Sequence, residues 1–356
     1  MSWASRPAAV IVAKLGGSVL REAGDYERCA ELAVDLGARV VVVSAMKGVT
    51  DSLLGAAKLG DALLLERVLE RMMEAAVEFG ALREADRWIE RCRRAFEAYL
   101  ESGSPQLLDE VLATGERVSS ALMARALERL GVAVVALDGG EAGVVTDEKF
   151  GEARPLFEEC YRRIEATLSP LLAKGFVVVV AGFTGSTLDG RTTTMGRGSS
   201  DLTAALVARA LGAELLYLVT ESPYLMSADP SLVPSAKPLK LIGLAEADAM
   251  ATLGVKRFHP LTFKPLQGAG CTVVVGSKPP DGTRAVAEDP PPDLKVVTQR
   301  GRALFFVGRG ASKLAGELAE ELGFPPLEVG SLHFALEAPE GENLVAKAHE
   351  AMVKRW

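Results

Sequence analysis

Thr192 to Leu202 reads TTTMGRGSSDL, and the fold turns on how that string is taken. An apolar run, Phe176–Val180, precedes it, and a helical pattern from Thr203 to Leu211 follows. Two glycines bracket Arg197, and Ser199, Ser200 and Asp201 stand where the helix is expected to begin. Glycine lets backbone amides approach an anion, and a helix N-terminus adds the positive end of its dipole. The string reads either as an anion pocket with its own fixed cation or as an ordinary loop closed by a Ser or Asp N-cap.

Working outward, Ala8–Ala13 (AAVIVA) is a β-branched apolar run that opens into Lys14-Leu15-Gly16-Gly17-Ser18. A buried strand leading into Gly-Gly and a hydroxyl presents amides to a phosphate, with Lys14 adding charge. No G-x-x-x-x-G-K-[ST] string occurs, so this is not a P-loop. Tyr26–Leu36 reads as helix and Val40–Val43 as strand, ending in Ser44-Ala45-Met46-Lys47-Gly48-Val49-Thr50, where open α/β sheets bind ligands. From Asp51 to Glu101 the apolar spacing is helical almost throughout, which predicts a helical insertion, about 51–113, covering the sheet. Gly115-Glu116-Arg117 falls between two helical stretches, where Glu116 either caps a helix or holds a ligand's ammonium group.

Val132–Leu137, Phe176–Ala181, Glu214–Val219 and Cys271–Val275 read as further strands, alternating with helices at Leu156–Ala173, Thr203–Leu211 and Ala245–Leu253. That alternation predicts a three-layer α/β fold, a mainly parallel sheet with helices on both faces. Ser277–Asp293 holds five of the 18 prolines and no apolar period, so it reads as a linker, and a chain ending near Asp281 is expected to fold alone. Beyond it, strand, helix, strand and helix make a small α+β module.

Composition bounds the function. With 356 residues, 49 % hydrophobic and 24 % charged, the chain has room for two globular units. The net charge of -7 is spread along the chain, and no basic block points to nucleic acid. Cys29, Cys92, Cys160 and Cys271 stand far apart and, with only three histidines, give no metal-ligand spacing; they read as buried reduced thiols. No apolar run reaches the roughly 18 residues of a membrane helix and the first residues lack a signal pattern, so a cytoplasmic location is expected.

Taken together, these motifs resemble those of aspartate kinases, within the amino-acid kinase superfamily. The resemblance rests on the Lys14–Ser18 turn, Ser44-Ala45-Met46 with Thr50, Gly115-Glu116-Arg117, Met195 to Asp201, Ala228-Asp229-Pro230, and Gly254-Val255-Lys256 with His259-Pro260. They stand in the family's order over roughly residues 8 to 276. The resemblance implies transfer of the γ-phosphoryl group of ATP, with Mg²⁺, to the β-carboxylate of L-aspartate, on the route to lysine, threonine and methionine. It also implies that Lys14 and Lys256 contact the ATP phosphates, with Gly16, Gly17 and Ser18 supplying amides and a hydroxyl. Thr220, Glu221, Met226, Ser227, Ala228, Asp229 and Pro230 would form the nucleotide loop. Ser44, Thr50, Glu116, Arg197, Gly198, Ser199 and Ser200 would form the aspartate pocket, and Asp201 would orient Lys14 and the metal-bound nucleotide.

By the same resemblance the domains are a kinase domain (1–280), a linker (281–296) and a single, incomplete ACT-like regulatory module (297–356). Lysine or threonine would be the effector, and the assembly a homodimer or larger. The chemistry of the residues agrees: an amino-acid substrate needs a carboxylate, a forked guanidinium and hydroxyls, and its attacking carboxylate is already ionised, so no general base is required. The chain departs from the family where Thr220-Glu221-Ser222-Pro223-Tyr224-Leu225-Met226-Ser227-Ala228-Asp229-Pro230-Ser231 replaces T-D-V-D-G-V-Y-T-A-D-P-R, and where Ser199 replaces a glycine. Two alternatives follow: an amino-acid-binding regulator that has lost nucleotide competence, and a kinase for another small carboxylate.

Overall fold

The computed structural model describes residues 9–254, 258–287, 291, 293–340 and 342–356, and packing divides the chain into two units after Glu221. The first unit runs β1 (Ile11–Leu15), α1 (Ala23–Asp35), β2 (Val40–Val43), α2 (Val49–Leu59), α3 (Ala62–Phe79), α4 (Leu82–Ser102), α5 (Pro105–Arg129) and β3 (Val134–Leu137). It continues with α6 (Phe157–Ala173), β4 (Val177–Ala181), β5 (Thr184–Ser186), β6 (Thr192–Thr194), α7 (Ser199–Ala210) and β7 (Leu215–Val219). Strands β7, β1, β2, β4 and β3 lie side by side in that order, all parallel. The unbroken valine run of β2 is buried along its whole length, as a strand covered on both faces requires.

The helix α5 packs on β2, β3 and β4, whereas α7 packs on β1, β2 and β7 with α6 beside it on β4. From Asp109 to Ala124, α5 is buried without a break. The expected break at Gly115 is absent: Pro105 opens one continuous helix and Glu116 lies in its interior, so the capping alternative falls. The insertion α2–α4 packs on α5 rather than covering the strands directly, because α5 already occupies that face of the sheet. Its turns are closed by Gly60, Gly80 and Gly103, all left-handed, and Asp61 caps α3 by accepting the Leu64 N–H.

The second unit contains β8 (Leu225–Met226), β9 (Pro238–Leu239), β10 (Leu241–Gly243), α8 (Leu244–Thr252), β11 (Thr272–Gly276) and β12 (Thr283–Val286). Then come β13 (Leu294–Arg300), β14 (Ala303–Gly308), α9 (Ala311–Leu322), β15 (Pro326–Val329), β16 (His333–Glu337) and α10 (Glu342–Val353). The segment read as a linker, 281–296, holds β12, which pairs with β10 and β11, and the start of β13. Alternating burial along Thr283–Val286 pins it to the sheet despite the prolines around it. The tail forms a four-stranded sheet, β13-β14-β16-β15, in which β13 supplies an edge strand from before the expected module boundary.

Its core stacks Phe306 on Phe334 at 4.7 Å and includes Leu304 and Val297, but also Ala228 and Val233 from the loop after β8. A chain ending near Asp281 would therefore strip that loop of its packing partners. All four cysteines are buried thiols outside any disulfide, as expected.

Candidate active site

The chain order β1, β2 to one side and β7 to the other makes β1/β7 a point where strand order reverses, and ligands of open α/β sheets bind beyond the carboxyl ends of the strands at such a point. Lys14 lies near the end of β1 and the Gly16-Gly17-Ser18 turn follows it, Ser44 to Thr50 follows β2, and Gly182 follows β4. Glycine is required by close approach at two of these places. A Cβ on Gly17 would come within 3.0 Å of the Ala45 carbonyl oxygen, and one on Gly182 within 2.6 Å of the Ser200 Cβ, so the turn and the start of α7 both close onto the strand ends.

The helix α7 begins at Ser199, four residues before the expected start, with left-handed Gly198 as its cap. Ser199, Ser200 and Asp201 thus form its first turn instead of preceding it. The Asp201 carboxylate stands 2.6 Å from the Lys14 ammonium, both nearly buried. Ser199 donates to the Gly196 carbonyl. Arg197 points outward, its side chain 80 % exposed, and reaches Asp51 at the start of α2.

Glu116 is the residue least explained by structure alone. It is fully buried, the Ala45 N–H donates to its carboxylate, and Oε2 has no partner. Burial raises its carboxyl from 4.5 to about 8, against the pull of that N–H and of the Lys14 charge. A buried carboxylate oxygen without a donor fits an incoming ammonium. Ser119, one turn on, donates to the Ser44 carbonyl at 2.7 Å and so fixes the end of β2 against α5.

Asp109 is not legible as a site residue in the sequence, because the Asp109-Glu110 pair in a helical string looks like a solvated face. It is wholly buried, and its oxygens accept from Thr194 N, Thr194 Oγ1 and Gly151 N at 2.8, 2.6 and 2.9 Å. Arg117 bonds Asp138 and Thr192 Oγ1. A cavity of ≈ 250 Å³ lies along a different face of α5, lined by Trp88, Arg117, Arg125 and Asp138 among others, but Arg117 and Arg125 are already paired with carboxylates.

In the second unit Ser227 is buried with its hydroxyl engaged: it accepts from Lys237 N and hydrogen-bonds His349 Nε2, each at 2.7 Å. Ala228 is buried, Met226 half-buried, and Asp229 and Pro230 are exposed. Lys256 lies outside the described residues. Among the described residues no group of three or more His, Cys, Asp or Glu forms a metal cage, and no helix is long and apolar enough to cross a membrane.

A parallel sheet whose strand ends present a lysine, a Gly-Gly turn and a helix N-terminus defines an anion-binding α/β protein of the small-molecule kinase type. The chain belongs to the amino acid kinase family, whose sequence model matches residues 9–277. It is 34 % identical over 280 residues to lysine-sensitive aspartokinase 3 of Escherichia coli, a match spanning 75 % of this chain and 61 % of that one. It is 40 % identical over 153 residues to an aspartokinase of Thermus thermophilus, spanning 43 % and 36 %. The chain thus spans less than two thirds of the length of these curated relatives. Among solved structures it is similar to E. coli aspartokinase III in complex with aspartate and ADP, at a TM-score of 0.73 and 30 % identity, covering 94 % of this chain and 79 % of that one. It is also similar to the lysine and aspartate complex of the same enzyme, at 0.72 and 27 %, covering 97 % and 83 %.

Proposed function

We propose that this protein is an aspartate kinase, moving the γ-phosphoryl group of MgATP to the β-carboxylate of L-aspartate. The observation that carries the reading is Glu116: a buried carboxyl group with one oxygen left open suits the ammonium of an amino acid and not a simple phosphate acceptor. Arg197 would then hold a substrate carboxylate in place of Asp51, with Ser44, Thr50 and Ser200 as hydroxyl partners. Lys14, held by Asp201, would meet the phosphates beside the Gly16-Gly17-Ser18 amides. Mg²⁺ travels on nucleotide phosphates with one or two protein carboxylates, a demand Asp201 can meet. Rate enhancement would come from alignment and charge neutralisation.

Nucleotide roles for Thr220, Glu221, Met226 to Pro230 and Lys256 rest on the resemblance alone, as do a regulatory role for the tail, lysine or threonine as its effector, and self-association. The test is coupled ADP release with L-aspartate, L-glutamate and N-acetylglutamate as acceptors. Turnover on aspartate alone is expected; turnover on another acceptor, or aspartate binding without turnover, would overturn the assignment.

A further inference from the structure

Asp109 sits seven residues before Glu116 on α5, which is two helical turns, so both side chains leave the same face of one rigid rod. The two carboxylates do different things. Glu116 keeps an oxygen open, while Asp109 spends both of its oxygens on three donors, two from Thr194 and one from Gly151. Thr194 is the last residue of β6, three before Arg197. The loop between carries Gly196 and Gly198, both at positive φ, and its far end is fixed where Ser199 begins α7. A loop that is glycine-jointed in the middle takes its place from its two anchors. One anchor is the first turn of α7, and the other is Thr194, held by its pairing with Thr184, by the neighbouring Met195 N–H on the Phe183 carbonyl, and by Asp109, the one side chain among these partners.

All three donors to Asp109 are neutral, and among the described residues no salt bridge to it is present. Burying a carboxylate among neutral donors is an expensive way to hold a helix, and apolar packing of similar volume would serve stability as well or better. What a carboxylate gives here, and an apolar residue does not, is a convergent fix on two backbone segments. We propose that Asp109 is a positioning residue for the arginine loop: by pinning Thr194 and Gly151 to α5, it sets the distance at which Arg197 and Glu116 grip opposite ends of the amino-acid substrate. This inference rests on the aspartate-kinase reading for its substrate, but its geometric half does not.

The test compares Asp109→Ala, Asp109→Asn and Thr194→Val in the full chain. In Asp109→Asn the amide oxygen can accept both N–H groups while its NH₂ donates to Thr194 Oγ1, which turns to accept, so geometry survives the loss of charge. Asp109→Ala is expected to raise KM for aspartate about ten- to a hundredfold, the scale of a small misplacement of a binding group, while KM for ATP moves by less than about twofold. Asp109→Asn should restore the wild-type KM for aspartate to within about threefold. Thr194→Val removes one bond of three and should give a smaller shift in the same direction, which keeps the test open if the alanine variant fails to fold.

Hydrogen exchange supplies the readout independent of activity. Residues 195–200 should exchange faster in Asp109→Ala and Thr194→Val, with α5 and the body of α7 unchanged. Loosening of this loop in the variants of a protein whose wild type does not turn over aspartate would sink the functional reading and leave the positioning role. A folded Asp109→Ala or Thr194→Val variant with unchanged loop exchange, or with both KM values rising together, would overturn the positioning role itself.

Discussion

Glu116 makes a prediction that depends on the sign of its shift. Its folded value is raised, from 4.5 to about 8, so the folded protein without ligand holds that proton more tightly than the unfolded chain. The contribution to stability is present below pH 4.5 and is lost as pH rises through about 8. An ammonium needs the ionised form, so on the proposed function aspartate binding at pH 7 would expel a proton. One pH unit below the carboxyl value costs about tenfold in apparent affinity. Calorimetry at pH 7 in two buffers of different ionisation enthalpy should therefore show release of nearly one proton, and affinity should tighten about tenfold towards pH 8.5. Glu116→Gln should bind weakly with no such slope. Flat affinity and no proton release in the wild type would mean that the carboxylate is ionised before the ligand arrives.

At the same scale, Lys14 to Ser18 was legible in the sequence because a buried strand ending in Gly-Gly leaves few other uses for its amides. Asp109 was not, since its meaning lies in Thr194, 85 positions away. A signal existed: two acids two turns apart in a helix buried all round cannot both be solvated.

Among elements, α5 is held close to the loop after β2 by an interior glycine. A Cβ on Gly115 would meet the Ala45 Cβ at 2.7 Å and Val49 Cγ1 at 3.0 Å. The first of these atoms is anchored to backbone and cannot rotate away. Gly115→Ala gains about 1 kcal/mol of helix propensity but incurs overpacking near the upper end of about 1–3 kcal/mol. A net loss of about 1–2 kcal/mol in a urea titration is expected, with KM for aspartate rising because Ala45 also donates to Glu116. A variant more stable than the wild type would show that the loop after β2 yields freely.

Element boundaries show where reading by pattern stops. The periodicity of Thr203–Leu211 located α7, but not its first turn, because Ser199 and Ser200 resemble a cap until Gly198 is known to be left-handed. Strand β13 went unread because Lys295 and the prolines before it mask an apolar face that only its pairing with β14 reveals.

For the whole molecule, the parallel sheet followed from the alternation of runs, while the division of the chain did not. A chain ending at Asp281 loses β12, and with it Thr283, whose hydroxyl accepts the Leu225 N–H and donates to the Leu239 carbonyl. It also uncovers Ala228 and Val233. Such a truncation is expected to be insoluble or to melt without a cooperative transition, as followed by near-ultraviolet circular dichroism on heating. A soluble truncation with a sharp melt would restore the linker reading.

That shared core has a consequence for descent as well as for folding. Residues Met226 to Pro230 and the C-terminal sheet cannot be exchanged independently, since Ala228 is shaped to one and belongs to the other, and Ser227 leans on His349. Recombination that grafted a foreign tail after β12 would leave a mismatched seam at those positions. Lineages of this protein are therefore expected to keep tail and loop as one heritable block.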